Sequence, residues 1–405
     1  MPDFPYARLR RHPDVEAENL QAYDATDLLL TEWGIASGIA GDEIAVIGDE
    51  YGAITLALTD AGRTGIRVHQ DLATGRRALA RNAADLQMGG GYTEHELDSS
   101  LLVGATLVLL QLPKSLAELE EIADAVARWA APGVVLVAGG RVKHMTLAQN
   151  DVLARSFETV QPQRAERKSR LIIASEALPV PAEPPFPVSM RHGGLTLVAH
   201  GGAFAGPRLD IGTRVLLEVL GLALPELRRS GMEEAETGPS AGTATGSSGV
   251  LTAAASVIEA ASTVVDLGCG TGALAAAYAL AHPRARVIAT DRSAAAAASA
   301  RGTVVVNGLA GRVEVTHDDA GSRLPDASVD LVLLNPPFHL GNSVHSGAAT
   351  RLFEAAARLL RPGGQLWTVY NSSLRYRAEL TGLIGETEQV SRTPKFTVTR
   401  SVRRG

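Results

Sequence analysis

Apolar runs recur along the chain in two matching series. Ile44-Ala-Val-Ile is followed by Gly-Asp-Glu-Tyr-Gly and then by Ala-Ile-Thr-Leu-Ala-Leu, which predicts a buried strand, a turn and a helix. Val264-Val-Asp-Leu, Gly268-Cys-Gly-Thr-Gly and the apolar run after it predict the same three elements again. In the second series a strand ending in Asp291 follows (Arg286-Val-Ile-Ala-Thr-Asp). The next ends near Asp319 (Val313-Glu-Val-Thr-His-Asp-Asp), and a fourth runs into Leu331-Val-Leu-Leu-Asn-Pro-Pro-Phe-His. This order describes a doubly wound α/β sheet, in which ligands lie at the carboxyl ends of the strands. Leu20–Trp33 has the helical period and starts near Asp24 or Thr26. Leu209–Leu220 reads as a turn entering a helix, 250–260 as a helix feeding the Gly-rich strand, and Ser391–Gly405 as a final strand followed by a basic end, which fits a phosphate contact and a plain basic terminus equally well.

The two series align without a gap through the turn. Val46 falls on Asp266, Gly48 on Gly268, Glu50 on Gly270 and Gly52 on Gly272, and Asp71 falls on Asp291. Leu109-Leu-Gln-Leu-Pro-Lys takes the place of Leu333-Leu-Asn-Pro-Pro-Phe, and Ala131-Pro-Gly-Val that of Arg361-Pro-Gly-Gly. The order of these correspondences points to an internal duplication. The first copy lacks chemistry: Val46 accepts no hydrogen bond through its side chain, and Glu50 puts a side chain where a backbone must come close to a ligand.

The expected architecture is α/β, with a first domain over 1–178, a Pro-rich linker over 179–192 and a second domain over 193–405. Residues 225–249 carry no hydrophobic period and read as a flexible insertion. A formal net charge of -6 excludes a global basic field, so any nucleic-acid contact must be local. Arg167 and Lys168, in the basic run Gln161–Arg170, fit an RNA contact and a solvated hairpin equally well. Cys269 is the single cysteine, which excludes a disulfide framework and a Cys-based zinc site within the chain and fits a reducing cytoplasm. No metal is expected, and no apolar signal core or charge-free run of spanning length is seen, so no membrane partner is expected either.

The Gly-rich turn alone fits a dinucleotide loop or an S-adenosylmethionine (SAM) loop. Asp266 before the first glycine can accept from a ligand ammonium group, and Asn335-Pro-Pro-Phe at a strand end has no use in a dehydrogenase. Together they select SAM. From Val264 to Arg400 the chain resembles class I SAM-dependent methyltransferases, and Asn335-Pro336-Pro337-Phe338-His339 resembles the subgroup that methylates exocyclic amines of bases. Within it, the chain is similar over nearly its whole length to the RlmG/RsmC-type rRNA (guanine-N2)-methyltransferases. Those carry two tandem Rossmann-like methyltransferase domains, a degenerate one ahead of the catalytic one. Phe204, Asp210, Gly212, Thr213 and Leu216 match a segment of that family, with Val215 in place of a Leu.

The resemblance implies methyl transfer from SAM to the N2 amine of a guanine in ribosomal RNA. A guanine in duplex RNA cannot reach such a pocket, so the target is single-stranded, in a loop or flipped out. Asn335, Pro336, Pro337 and Phe338 are the expected catalytic turn. Asp266, Gly268, Gly270, Gly272, Asp291, Asp319, Asp210 and Thr213 are the expected cofactor set, with Asp318 an alternative to Asp319. Asp210 or Thr213 also fits a plain helix cap. Phe338, His339, Phe204, Arg167 and Lys168 are the candidate RNA contacts. The first domain is expected to bind RNA without SAM, and two-domain members of the family can work as monomers. The rival readings are an N-methylase of DNA adenine or protein glutamine, and a non-enzymatic RNA-binding protein.

Overall fold

A computed structural model describes residues 4–222, 261–337 and 346–405. The chain divides into two compact units, Met1–Pro187 with His200–Gly202, and Val188–Ala199 with Ala203–Gly405.

In unit 1, helix α1 (Ala25–Ala36) precedes the series β1 (Ile44–Ile47), α2 (Ala53–Asp60), β2 (Ile66–His69), α3 (Ala73–Asp85), β3 (Tyr92–Glu94), α4 (Ser99–Leu102), β4 (Leu107–Gln111), α5 (Leu116–Trp129), β5 (Val135–Arg141), α6 (Ala148–Leu153), β6 (Phe157–Pro162) and β7 (Ser169–Ala177). The seven strands form one sheet in the order β3-β2-β1-β4-β5-β7-β6. The pairs from β3 to β5 are parallel, and β7 runs antiparallel to both β5 and β6. All four residues of β1 are buried, as expected of a strand covered on both faces.

Unit 2 opens with a hairpin of β8 (Val188–His192) and β9 (Leu195–Ala199), then α7 (Ile211–Val219). There follow β10 (Thr263–Leu267), α8 (Ala273–Ala281), β11 (Arg286–Asp291), α9 (Ala294–Val306), β12 (Val313–His317), β13 (Val329–Leu334), α10 (Ser346–Leu359), β14 (Leu360–Asn371), α11 (Arg377–Leu383), β15 (Thr387–Arg392) and β16 (Phe396–Val402). Its large sheet has the order β12-β11-β10-β13-β14-β16-β15. Position by position this is the order of unit 1, so the duplication read from the turn extends through the whole sheet. Two tandem α/β units of one topology are the architecture expected from the sequence.

One difference from the sequence reading concerns a boundary. Residues 188–192, read as linker, form β8, which pairs along its length with β9 in unit 2. The final strand expected near the basic end is present: β16 lies between β14 and β15, Arg400 pairs with Glu388 at 2.6 Å, and the Arg404 guanidinium donates to the Thr381 carbonyl at 2.6 Å. Residues 225–249, the proposed insertion, and the helix expected over 250–260 lie outside the described residues.

The strand-to-helix turn after β10 depends on Gly272. Its φ is +76°, and a Cβ there would sit 3.0 Å from the Ala300 Cβ on α9. A side chain would therefore be strained in backbone and would push α9 from the sheet.

Candidate active site

The carboxyl ends of β10, β11 and β13, the turn after β12 and the start of α7 line one cavity of about 340 Å³ in unit 2. Asp266, Gly268, Gly270, Asp291, Asp319, Asp210, Thr213, Asn335, Pro336, Pro337 and Phe204 all contribute to its wall. Most of the positions singled out in unit 2 are thus brought together. Phe338 and His339 lie outside the described residues, and Arg167 and Lys168 belong to unit 1.

Three carboxyl groups come from three successive strand ends. Asp266, on β10, is buried and accepts from the Ala275 N–H at 2.9 Å. Burial pushes its carboxyl up to about 7, and the nearby Asp291 charge adds to the shift. Asp291, ending β11, accepts from the Gly270 N–H and the Ser293 N–H, each at 2.9 Å, and so ties the Gly-rich turn to the start of α9. Asp319, beyond β12, is ion-paired with Arg351 of α10, a residue that the sequence reading did not single out. Its neighbour Asp318 accepts from the Ser322 hydroxyl at 2.7 Å and the Arg323 N–H at 2.9 Å, which closes the turn, and it is not part of the cavity wall. Of the two acids left open in the sequence, Asp319 is the one that lines the cavity. Cys269 is buried, and desolvation pushes its thiol well above the ordinary range, so it is no ready nucleophile.

The Asn-Pro-Pro turn lines the same cavity as Gly268 and Gly270. Asp210 caps α7, its Oδ2 accepting from the Thr213 N–H at 3.2 Å. The same Oδ2 accepts from Asn335 Nδ2 at 2.9 Å, and the Thr213 hydroxyl oxygen accepts from Nδ2 at 2.9 Å. Asn335 Oδ1 is buried and has no hydrogen-bond partner among the described residues. An acceptor left so costs about 1–3 kcal/mol unless a ligand donates to it. Asp210 and Thr213, expected among the cofactor contacts, spend their side chains on Asn335. They border the cavity, but the structure joins them to the Asn-Pro-Pro turn. Gly212 allows this approach, since a Cβ there would stand 3.1 Å from both Asn335 Oδ1 and Asp210 Oδ2.

These residues fit SAM. Its ammonium group, ribose hydroxyls and adenine amine are all donors, and Asp266, Asp291 and Asp319 in the cavity wall are acceptors that would suit them. Cβ positions built on Gly268 and Gly270 meet nothing within 4 Å, which leaves room for a ligand against the turn. Among the described residues no group of His, Cys, Asp or Glu is arranged to hold a metal ion.

Comparison with known proteins agrees with this arrangement. A family model described as the methyltransferase small domain matches residues 244–400, and one described as the RLMG N-terminal domain matches 3–178. A ribosomal RNA large subunit methyltransferase G from Streptomyces avermitilis is 33% identical over 98% of this chain and 97% of its own length. One from Stutzerimonas stutzeri is 32% identical over 99% of both. The chain belongs to the ribosomal RNA large subunit methyltransferase G family. Among solved structures, the T. thermophilus 16S rRNA N2 methyltransferase RsmC, in complex with AdoMet and guanosine, superposes with a TM-score of 0.69 at 21% identity. That match covers 98% of this chain and 99% of the other, and it supports the fold of both units.

Unit 1 of this methyltransferase G family member has no equivalent open turn. Asp49, which aligns with Cys269, is buried within it. Its carboxylate accepts from the N–H groups of Gly52 at 3.0 Å, Ile54 at 3.1 Å and Thr55 at 2.8 Å. The amino end of α2 is therefore capped from inside, by a residue that stands between the signal-bearing positions Val46 and Glu50. Gly270 has φ +53°, whereas Glu50 at the matching position is not in the left-handed region, so the turn takes a different path. In the β6–β7 turn, Arg167 pairs with Glu32 at 2.8 Å, and Arg167 and Lys168 are both exposed.

Proposed function

We propose that the chain transfers the methyl group of SAM to the exocyclic N2 amine of a guanine in ribosomal RNA, presented single-stranded, in a loop or flipped out. The observation that carries this reading is Asn335: its amide nitrogen is occupied within the protein, and its oxygen is a buried acceptor without a partner. An amine is the substrate group that fits such an acceptor. The whole-length relatedness to rRNA methyltransferases supports RNA rather than DNA adenine or a protein glutamine as the substrate.

Bound in the cavity, SAM would supply an electrophilic sulfonium methyl: the N–C bond would form as the C–S bond breaks, with S-adenosylhomocysteine as the leaving group and one amine proton lost to solvent. The chain's own part is positioning. The guanine amine is a poor nucleophile because its lone pair is delocalised into the ring. Asn335 Oδ1 and the Pro336 carbonyl accept its two hydrogens, which favours a pyramidal nitrogen and aims its lone pair. Pro336 and Pro337 have fixed φ and no N–H, so the turn holds that aim. Phe204, 65% exposed at the cavity wall, offers a stacking face for the base, and Phe338 is proposed as a second. His339 is proposed as a base-edge or phosphate contact. Asp266 takes the ammonium group of SAM, Asp291 the ribose and Asp319 the adenine amine.

Unit 1 is proposed to bind RNA and no cofactor, in a chain that acts as a cytoplasmic monomer. Isothermal titration of the full chain is expected to give one equivalent of SAM, and two equivalents would refute the internally capped turn as a closed site. Exchanging Arg167 and Lys168 together for Ala is expected to weaken RNA binding several-fold. It should also lower the slope of log K against log salt by roughly 1–2, about one for each phosphate no longer neutralised. An unchanged slope would leave the hairpin a solvated turn.

A further inference from the structure

We infer that Asp210 and Thr213 are positioning residues, which lock the Asn335 amide in the one orientation that presents an acceptor to the substrate. This rests on the reading of the cavity as an amine-methylating site.

The argument is one of donor and acceptor inventory. A side-chain amide has two N–H donors on one atom and an acceptor on the other, and the two ends are nearly equal in size. Left alone, the Asn335 group could present either end. An ionised carboxylate can only accept, so the end facing Asp210 must be the nitrogen. At 2.9 Å that nitrogen gives one hydrogen to Asp210 Oδ2, and at 2.9 Å it gives the other to the Thr213 hydroxyl oxygen. Both donors are then used, and the oxygen is the group left over. Thr213 alone would not decide the matter, because a hydroxyl both donates and accepts. The acceptor-only character of Asp210 sets the direction, and Thr213 completes it.

Such a lock selects its substrate. An acceptor favours a ring substituent that donates, an amine, and disfavours a carbonyl at the same place. The Asp-x-Gly-Thr segment is shaped for this purpose, since its glycine is where a Cβ would press on Asn335 at 3.1 Å.

Unit 1 keeps the same device in altered form. Gln111 ends β4 where Asn335 follows β13, and Asp24 caps α1 as Asp210 caps α7. The Gln111 amide nitrogen donates to Asp27, three residues after its cap as Thr213 is after Asp210. A strand-end amide held by the first turn of a helix earlier in the unit is thus a feature of both copies, although only unit 2 leaves its Gly-rich turn open.

Asp210→Asn is the decisive variant. Asn is as good a helix cap and the same size, but it can turn its own amide to donate, which frees Asn335 to invert. Turnover on rRNA from cells lacking the protein is expected to fall at least about tenfold, mainly in kcat, with SAM affinity by calorimetry kept within about threefold. Thr213→Val is expected to lose several-fold in kcat, and Thr213→Ser, which returns the hydroxyl, to recover most of it. A second measurement needs no RNA. In the chain labelled with [15N]Asn, the Asn335 amide resonances are assigned by their loss in Asn335→Asp, and Asp210→Asn is expected to shift them and speed their exchange with water by about tenfold or more.

Wild-type kcat in Asp210→Asn, or unchanged amide resonances, would overturn the assignment. Parallel losses of SAM affinity and turnover would also overturn it, since they would return both residues to the cofactor site. A wild-type chain that methylates no guanine would instead overturn the proposed function, and the amide resonances would still decide whether the lock exists.

Discussion

Asn335→Ala is expected to lower methyl transfer by a factor on the order of 10² or more while leaving SAM affinity within about threefold of wild type. The side chain is the first residue beyond β13, and its contacts run to Asp210 and Thr213 rather than to the acidic strand ends. Removing it deletes the orphaned acceptor and frees Asp210 and Thr213, but it leaves Asp266, Asp291 and the glycines as they are. Tritium transfer from labelled SAM to rRNA, paired with calorimetry, reads the two effects separately. Full transfer by the variant would remove Asn335 from the chemistry. Loss of SAM binding in step with transfer would place it on the cofactor side.

The second large effect lies at Asp266. In the free chain burial holds this carboxyl near 7, above its ordinary value of 3.8. The sign follows from that direction. The folded state prefers the proton, so the contribution of this group to stability is fully present below its unfolded pKa and is lost as pH rises through about 7. An ammonium group beside it favours the ionised form, so SAM binding near neutrality expels a proton. Affinity is therefore expected to rise with pH, by up to about tenfold per unit below pH 7, and to level off near pH 7.5–8, where the α-ammonium group of SAM begins to titrate. Calorimetry in buffers of different ionisation enthalpy measures the released proton directly. Asp266→Asn is expected to bind SAM at least about tenfold more weakly at pH 7.5 and to show no rise below pH 7. A flat profile in the wild-type chain would deny the contact between Asp266 and the ammonium group.

Much of this was legible because the signals are local. A parallel strand buried on both faces must be a continuous apolar run, so Ile44–Ile47 and Val264–Leu267 announce themselves. A turn that needs φ above zero must place glycine at fixed intervals, so Gly48 and Gly52 betray their kinship with Gly268 and Gly272. Acids at strand ends point to the cavity for the same reason. What the sequence could not show depends on distant partners. Asp210 reads as a helix cap, and it is one. Its second role depends on Asn335, 125 residues away in the chain. Arg351 becomes visible only when α10 lays it on Asp319. Asp49 differs from its neighbours only in that its carboxylate turns inward onto the amino end of α2. Asp42, Asp60 and Asp71 look no different on paper.

Nucleoside mass spectrometry of rRNA tests the central claim most directly. rRNA from cells lacking the chain is expected to lose one N2-methylguanosine. The wild-type chain is expected to restore it, and Asn335→Ala, expressed at the same level, is not. An unchanged N2-methylguanosine content in the absence of the chain, or full restoration by Asn335→Ala, would contradict the account.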